Sequence, residues 1–321
     1  MEIKKSVYLL GRCLKNSGDH LITYSTQKLL EHFNFNIKYI NKKGFELLSD
    51  IDLKKVNECD YLIISGGPCI CDKIYKKIYP LRNDLSEIKA KIIIFGGGKN
   101  GCDKGHYNSQ DMFFKKSLIY TRDNDTKNLL NENNIKSELS GCSVWYNSGN
   151  IVQKFEENIR TILFSCSARP YHFNDIIALK IIKKKFKNIK IIVCINHGFT
   201  SHIKKSNELM NYIKNEKIEL VDLSKSYLKM KNITKNIDMH IGYRVHSHLL
   251  SLSMGKKSIL INIDNRGEMM SNTLGKNYSI NNNELNKLNN IIEFSIKSDY
   301  NDVIKIINEN YNKIKDIFNN L

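Results

Sequence analysis

Arg244 and His246 stand two residues apart in the stretch Ile237–Gly267, IDMHIGYRVHSHLLSLSMGKKSILINIDNRG. A planar bidentate cation and a titratable imidazole at that spacing suit a phosphate or carboxylate, and the imidazole could also move a proton. Their setting strengthens the reading. Ile237–Tyr243 reads as a strand, and Val245–Met254 carries Leu249, Leu250 and Met254 at helical spacing. Gly255 is a natural helix stop, and Ser258–Ile263 is a β-branched run of the buried parallel kind. Arg244 and His246 therefore fall where a strand hands over to a helix N-terminus, which already presents N–H groups and a positive dipole to an anion. An Arg paired to a surface carboxylate and a His packed on the turn would have the same spacing.

The use of arginine adds weight. Of 50 basic residues only seven are Arg, at 12, 82, 122, 160, 169, 244 and 266. A chain that supplies solvated charge with Lys keeps Arg where a rigid fork helps. Arg122, Arg169, Arg244 and Arg266 each lie just past an expected strand. Ligands of open α/β sheets bind at those carboxyl ends.

The elements that would position these residues recur along the chain. Strands are expected at Ser6–Leu10, Asn36–Ile40, Tyr61–Ser65, Ile92–Phe95 and Ser117–Tyr120, with helices near Leu21–Phe33 and up to Asn131. Gly66-Gly67-Pro68 and Gly96-Gly97-Gly98 read as loops after two of these strands, letting backbone approach a ligand or simply turning tightly. Gly18-Asp19 opens the first helix, where Asp19 would also serve as a cap. Ser140–Gln153 is polar and turn-rich, the best linker candidate. The pattern then restarts: strands at Thr161–Ser165, Lys190–Ile195 and Glu219–Val221, helices at Asn174–Phe186, Asn207–Asn215 and Ser224–Lys231, and two polar helices near Asn282–Lys297 and Tyr300–Asn320.

This alternation predicts an α/β chain of two doubly wound, Rossmann-like domains facing a cleft, the GT-B layout. The expected division is 1–150, 151–298, and a C-terminal helix over 299–321 that packs back on the first domain. At 321 residues two domains are the prior expectation.

Composition removes several classes. No run approaches the 18 or so apolar residues of a spanning helix, and the start is too short in its apolar core for a signal peptide. The eight Cys are scattered, as in a reducing cytoplasm, and Cys69-x-Cys71 lacks a second pair at zinc spacing, so no metal is expected. The net charge of +17 is spread out. Its densest run, Lys183–Lys187, falls on a helix face opposite Ile177 and Ile181. No basic patch is interleaved with aromatics, which argues against nucleic acid and leaves an anionic membrane surface or acidic polymer. Gly96-x-Gly98-x-x-Gly101 with Asp123 imitates a dinucleotide fingerprint. The breaker-rich CDKGHYNSQD that follows argues against a nicotinamide cofactor.

An ordered series of pieces carries a resemblance: SGDHL, DYLIISGGP, KIIIFGGG, SLIYTRDNDT, ELSGC, IIVCINHG and GYRVHSHLLSLSMGKKSILINID. Together they resemble the polysaccharide pyruvyl transferase family. Two positions depart from its pattern: Pro68 stands where a third glycine is usual, and Arg266 where Lys is more typical. The resemblance implies transfer of the pyruvyl group of phosphoenolpyruvate to a sugar of a cell-surface glycan or its lipid-linked precursor. Phosphoenolpyruvate is then a co-substrate, with no cofactor and no metal. It implies His246 as general acid with Arg244 as clamp, and a donor side of Arg169, Arg244, Ser247, Arg266 and His197. The acceptor side would hold Asp19, Gly66, Gly67, Gly96 and Gly97. The implied setting is cytoplasmic, with peripheral attachment at the inner face of the membrane. A GT-B glycosyltransferase using a nucleotide sugar is the main alternative, with Asp264 and Glu268 on a ribose. A carbohydrate-binding relative without catalysis is the third.

Overall fold

The computed structural model describes residues 4–11, 16–41, 48–70, 84–99, 109, 111–149, 152–167, 172–196, 206–224 and 226–321. Short β-branched runs become two parallel sheets, one in each of two units. The first unit comprises Met1–Leu14, Asp19–Asn150 and Ile306–Leu321, and the second Lys15–Gly18 and Ile151–Lys305.

In the first unit the strands are β1 (Ser6–Leu10), β2 (Asn36–Asn41), β3 (Tyr61–Ile70), β4 (Lys91–Lys99), β5 (Ser117–Thr121) and β6 (Glu138–Leu139). They lie in the order β2-β1-β3-β4-β5-β6, and every pair is parallel. Helices α1 (Ser17–His32), α2 (Asp50–Asn57), α3 (Met112–Lys116) and α4 (Asn124–Glu132) connect them. The order reverses between β1 and β3, the place where open α/β sheets in general bind ligands. Leu62, Ile64, Ile92 and Ile94 are fully or almost fully buried in its core. Each such side chain contributes about 1.5–3 kcal/mol by leaving water.

In the second unit the strands are β7 (Thr161–Ser165), β8 (Lys190–Ile195), β9 (Glu219–Asp222), β10 (Met239–Gly242), β11 (Lys257–Asn262) and β12 (Ser279–Asn281). Their order is β12-β11-β10-β7-β8-β9, again all parallel. This is the doubly wound order of dinucleotide-binding domains, with the reversal between β7 and β10. Helices α5 (His172–Lys185), α6 (Asn207–Asn215), α7 (Tyr227–Lys235), α8 (Val245–Ser253), α9 (Asn265–Leu274) and α10 (Leu288–Lys297) complete the unit. The last helix, α11 (Asn301–Asn320), starts in the second unit and ends in the first, where Phe318 packs its ring against Phe33, Phe35 and Phe95.

Several segments differ from the reading of the sequence. The glycine runs are not loops: β3 continues through Gly66 and Gly67, and β4 through Gly96–Gly98, with shifts of register beside them. The polar stretch proposed as a linker contains a 3-10 helix, Ser143–Gly149, in which Val144, Trp145 and Tyr146 are completely buried. The loop expected after β11 is α9, whose Met270 and Leu274 are buried.

No helix among the described residues is long and apolar enough to cross a membrane. Cys59, Cys69, Cys142, Cys166 and Cys194 are free thiols, all buried.

Candidate active site at the strand reversal of the second unit

Ser165 and Gly242 are paired at the carboxyl ends of β7 and β10, where the strand order reverses. Gly242 has a φ of 153°, and a Cβ there would lie 2.4 Å from the Ser165 carbonyl oxygen and 2.6 Å from its Oγ. Only glycine lets the strands approach this closely. The chain then turns over Ser165: the Tyr243 amide donates to its carbonyl at 2.9 Å and the Arg244 amide to its Oγ at 3.2 Å.

Arg244 is the N-cap residue of α8, with extended backbone and no side-chain cap bond. An arginine has no acceptor with which to cap a first turn, so it brings a guanidinium to the positive end of the helix. Beyond it, α8 is buried from Ser247 to Ser253. Ser247 Oγ accepts from Asn196 Nδ2 at 3.2 Å, and Asn196 follows β8. The His246 ring lies against Gly18, where a Cβ would come within 2.2 Å of Nδ1 and 2.9 Å of Cγ. Gly18 is held there by its neighbour, since Ser17 donates both its N–H (3.3 Å) and its Oγ–H (3.2 Å) to the Asn196 carbonyl. The start of α1 thus belongs to the second unit's site, which local patterning does not reveal.

Behind the turn, polar side chains sit inside apolar strands. His240 Nε2 is 2.8 Å from Ser165 Oγ, and its Nδ1 is 2.8 Å from Ser258 Oγ. His248 Nδ1 is also 2.8 Å from Ser258 Oγ. Burial, with a smaller contribution from His248, holds the His240 imidazole well below its ordinary range. Burial alone lowers His248 to about 3. Burial likewise raises the neighbouring Cys166 thiol and pushes Cys194 up to about 12, which makes both poor nucleophiles. The signal for His240 and Ser165 is a polar residue within otherwise apolar strands, MHIG and TILFS.

The other expected site residues are distributed as follows. Arg266 lies in the first turn of α9, beside the N-cap Asp264. Its Nε reaches Asp264 Oδ1 at 3.1 Å and its Nη2 reaches Oδ2 at 2.6 Å. Asp264 also accepts from the Arg266 amide at 3.0 Å. That carboxylate is therefore committed to its helix and to arginine, which leaves it poorly placed to hold a ribose. Glu268 lines a separate cavity of about 200 Å³ with Asn262 and Lys276. Arg169 and His197 lie outside the described residues.

In the first unit, Asp19 occupies the first turn of α1 rather than its cap position. Gly66 presses on Gly96, where a Cβ would be 2.3 Å from the Gly96 carbonyl oxygen. Gly67 and Gly96 have φ of +93° and +72°. Gly97 packs beside Ile94, Ile70 and Cys69. Arg122, past β5, is 3% exposed and holds Asp123 Oδ2 through Nε at 3.1 Å, with its guanidinium against Gly98. Among the described residues, no group of three or more His, Cys, Asp or Glu is arranged to hold a metal ion.

The family model for polysaccharide pyruvyl transferases matches residues 16–265, from the Ser17–Gly18 segment through the Arg244/His246 turn to the start of α9. The chain belongs to that family. Its membership makes it a transferase by family, and the matched span contains nearly all of the site just described. No curated protein matches the chain by sequence. Solved structures match by fold. UDP-N-acetylglucosamine 2-epimerase from Rickettsia bellii has a TM-score of 0.56 at 11% identity, over 98% of this chain and 95% of that one. Staphylococcus aureus MnaA, solved with UDP, scores 0.54 at 12% identity over 99% and 98%. The Methanocaldococcus jannaschii UDP-GlcNAc 2-epimerase, with UDP-GlcNAc and UDP, scores 0.51 at 15% identity over 93% and 94%. At these identities the likeness concerns the fold, two Rossmann-like halves of the GT-B type.

Proposed function

We propose that the protein transfers the pyruvyl group of phosphoenolpyruvate to a sugar of a cell-surface glycan or its lipid-linked precursor, forming a pyruvate ketal. The observation that carries this reading is the Arg244/His246 turn, with an arginine at the N-cap of α8 and the imidazole in its first turn, at the strand reversal. The donor brings a carboxylate and a phosphate, which suit a guanidinium fork and a helix N-terminus.

In the reaction a sugar hydroxyl oxygen bonds to C2 of the donor while His246 delivers a proton to the methylene carbon, making it a methyl group. The C2–O bond to phosphate then breaks and a second sugar hydroxyl closes the ketal. The two hydroxyl protons are accounted for, one restoring His246 and one leaving with phosphate. An imidazole, which can both give and take a proton, suits both directions of that transfer. Arg244 clamps the donor, with Ser247, Arg169, His197 and Arg266 as the remaining donor-side candidates. Asp19, Gly66, Gly67, Gly96 and Gly97 are the acceptor-side candidates. The charge of +17 favours peripheral attachment to an anionic membrane surface on the cytoplasmic side, where a lipid-linked acceptor would be met.

Titration calorimetry with phosphoenolpyruvate, UDP and UDP-sugars tests the donor. Binding of phosphoenolpyruvate without UDP is expected; binding of a UDP-sugar alone would transfer the reading to a nucleotide-sugar glycosyltransferase. The tie between Asp264 and Arg266 disfavours that second reading.

Gly18→Ala probes the His246 contact. Alanine is a better helix former by about 1 kcal/mol, yet its Cβ would sit 2.2 Å from His246 Nδ1. The ring must shift by more than 1 Å, and misplacement of that size costs on the order of 100-fold. Phosphate release should fall by about that factor with the melting temperature nearly unchanged. Full activity would show that the ring swings aside without consequence.

A further inference from the structure

We propose that Ser165 and His240 are positioning residues that set the place of Arg244 through its backbone amide; the catalytic part of this inference rests on the reading of Arg244 as donor clamp. Four elements contribute to one hydrogen-bonded chain: Ser165 from β7, His240 from β10, Ser258 from β11 and His248 from α8. It runs from the Arg244 amide to Ser165 Oγ (3.2 Å), to His240 Nε2 (2.8 Å), then from His240 Nδ1 to Ser258 Oγ (2.8 Å) and on to His248 Nδ1 (2.8 Å). All four side chains are buried, none more than 4% exposed. The Ser258 amide is itself pinned by the Tyr300 hydroxyl at 3.1 Å.

Counting hydrogens gives the chain a direction. Ser258 has one hydroxyl proton and faces two imidazole nitrogens, so one ring must donate to it. If Ser258 donates to His248, His240 carries its hydrogen on Nδ1 and its bare Nε2 accepts from Ser165. Ser165 Oγ then accepts the Arg244 amide and gives its own hydrogen to His240. The one hydrogen left over is on Nε2 of His248, which is 4% exposed where Ser165 is fully buried. In the reverse direction Ser165 Oγ accepts twice, and its own hydrogen has no acceptor within the chain. The tautomer so assigned makes Ser165 a donor to His240 and an acceptor for Arg244, each bond strengthening the next. His240 is there to orient a serine hydroxyl, much as an outer partner orients a ligand-holding side chain.

Three variants of the full chain separate this role from plain packing. Ser165→Ala removes the acceptor of one amide hydrogen bond, and the KM for phosphoenolpyruvate should rise about five- to tenfold, with the acceptor KM unchanged. His240→Gln keeps a polar group at the Nε2 position and should leave the donor KM within about twofold of the parent. His240→Asn reaches Ser258 but not Ser165, and should match Ser165→Ala. Both His240 variants lose the ring and should melt lower to a similar extent. Equal donor KM values for Gln and Asn, or an unmoved donor KM in Ser165→Ala, would overturn the proposal. Hydrogen exchange of the Arg244 amide supplies a readout independent of the donor. It should quicken in Ser165→Ala and His240→Asn but not in His240→Gln. If the parent fails to bind phosphoenolpyruvate, the donor reading falls while exchange still decides the positioning role, and unchanged exchange in all three variants sinks it.

Discussion

His246→Gln is expected to lower the rate of phosphate release from phosphoenolpyruvate, with acceptor present, by a factor of about 10²–10⁴. Glutamine fills similar space and can still bond a phosphate, but it cannot carry a proton to carbon. The fold should persist, because His246 is only half-buried while the buried body of α8 begins at Ser247. Donor affinity should change little. Calorimetry and a phosphate-release assay on the same preparation separate the two properties. A large loss of affinity at nearly normal turnover would make His246 a phosphate ligand instead of the acid.

The second large effect is on stability in mild acid. His240 and His248 are buried and held neutral, with pKa values below the ordinary 6.5. The unfolded chain takes up a proton at each below pH 6.5, and the folded chain does not. Their neutrality therefore contributes stability that is fully present above pH 6.5 and is lost as pH falls towards the folded values. The loss is about 1.4 kcal/mol per pH unit and per histidine once pH is well under 6.5. Urea titrations at intervals between pH 7.5 and 4.5 should show this slope. The double variant His240→Gln/His248→Gln should show a flatter profile, though from a lower starting point. Equal slopes for the two proteins would mean that the pocket admits protons, or water, without unfolding. Asp52 and Asp60, whose hydrogen bonds with Ser49 and Ser6 hold their carboxyls low against the opposing effect of burial, act in the same direction but only at more acid pH.

Much of the fold follows from local pattern. β7, β8 and α6 occupy the segments that alternation and β-branched runs predict, because a buried parallel strand must be apolar on both faces. The polar stretch Ser140–Gln153 does contain the boundary between the units, after Asn150. Its Ser143–Gly149 part, however, is a 3-10 helix whose Trp145 and Tyr146 are anchored in the interior by tertiary packing, which Ser and Asn did not suggest. Asn265-Arg266-Gly267 suggested a loop, although Asp264 caps a helix through the Arg266 amide. The glycines of β3 and β4 looked like turns. They are instead strand residues, with Gly66 pressed against the Gly96 carbonyl.

At the site, the Arg244/His246 turn was legible because a strand, a helix start and two functional groups coincide within a few residues. Gly18 was not, since its partner is far away in sequence and a glycine has no side chain to announce a contact. Ser165 and His240 stood in plain view as polar residues within apolar strands, but their joint purpose depends on the strand order, which no local window contains.

The placement of Ser17 and Gly18 has a consequence for inheritance. These two residues belong with the second unit, although they begin a helix that continues in the first. The Arg244/His246 turn is therefore not encoded by one uninterrupted half of the gene. A cassette starting at the middle of the chain would carry the imidazole without the glycine that its ring lies against. Recombination between relatives at that point would pair a histidine with a foreign first helix. A glycine at position 18 and its serine neighbour are thus expected to travel with the distant turn, as one heritable unit.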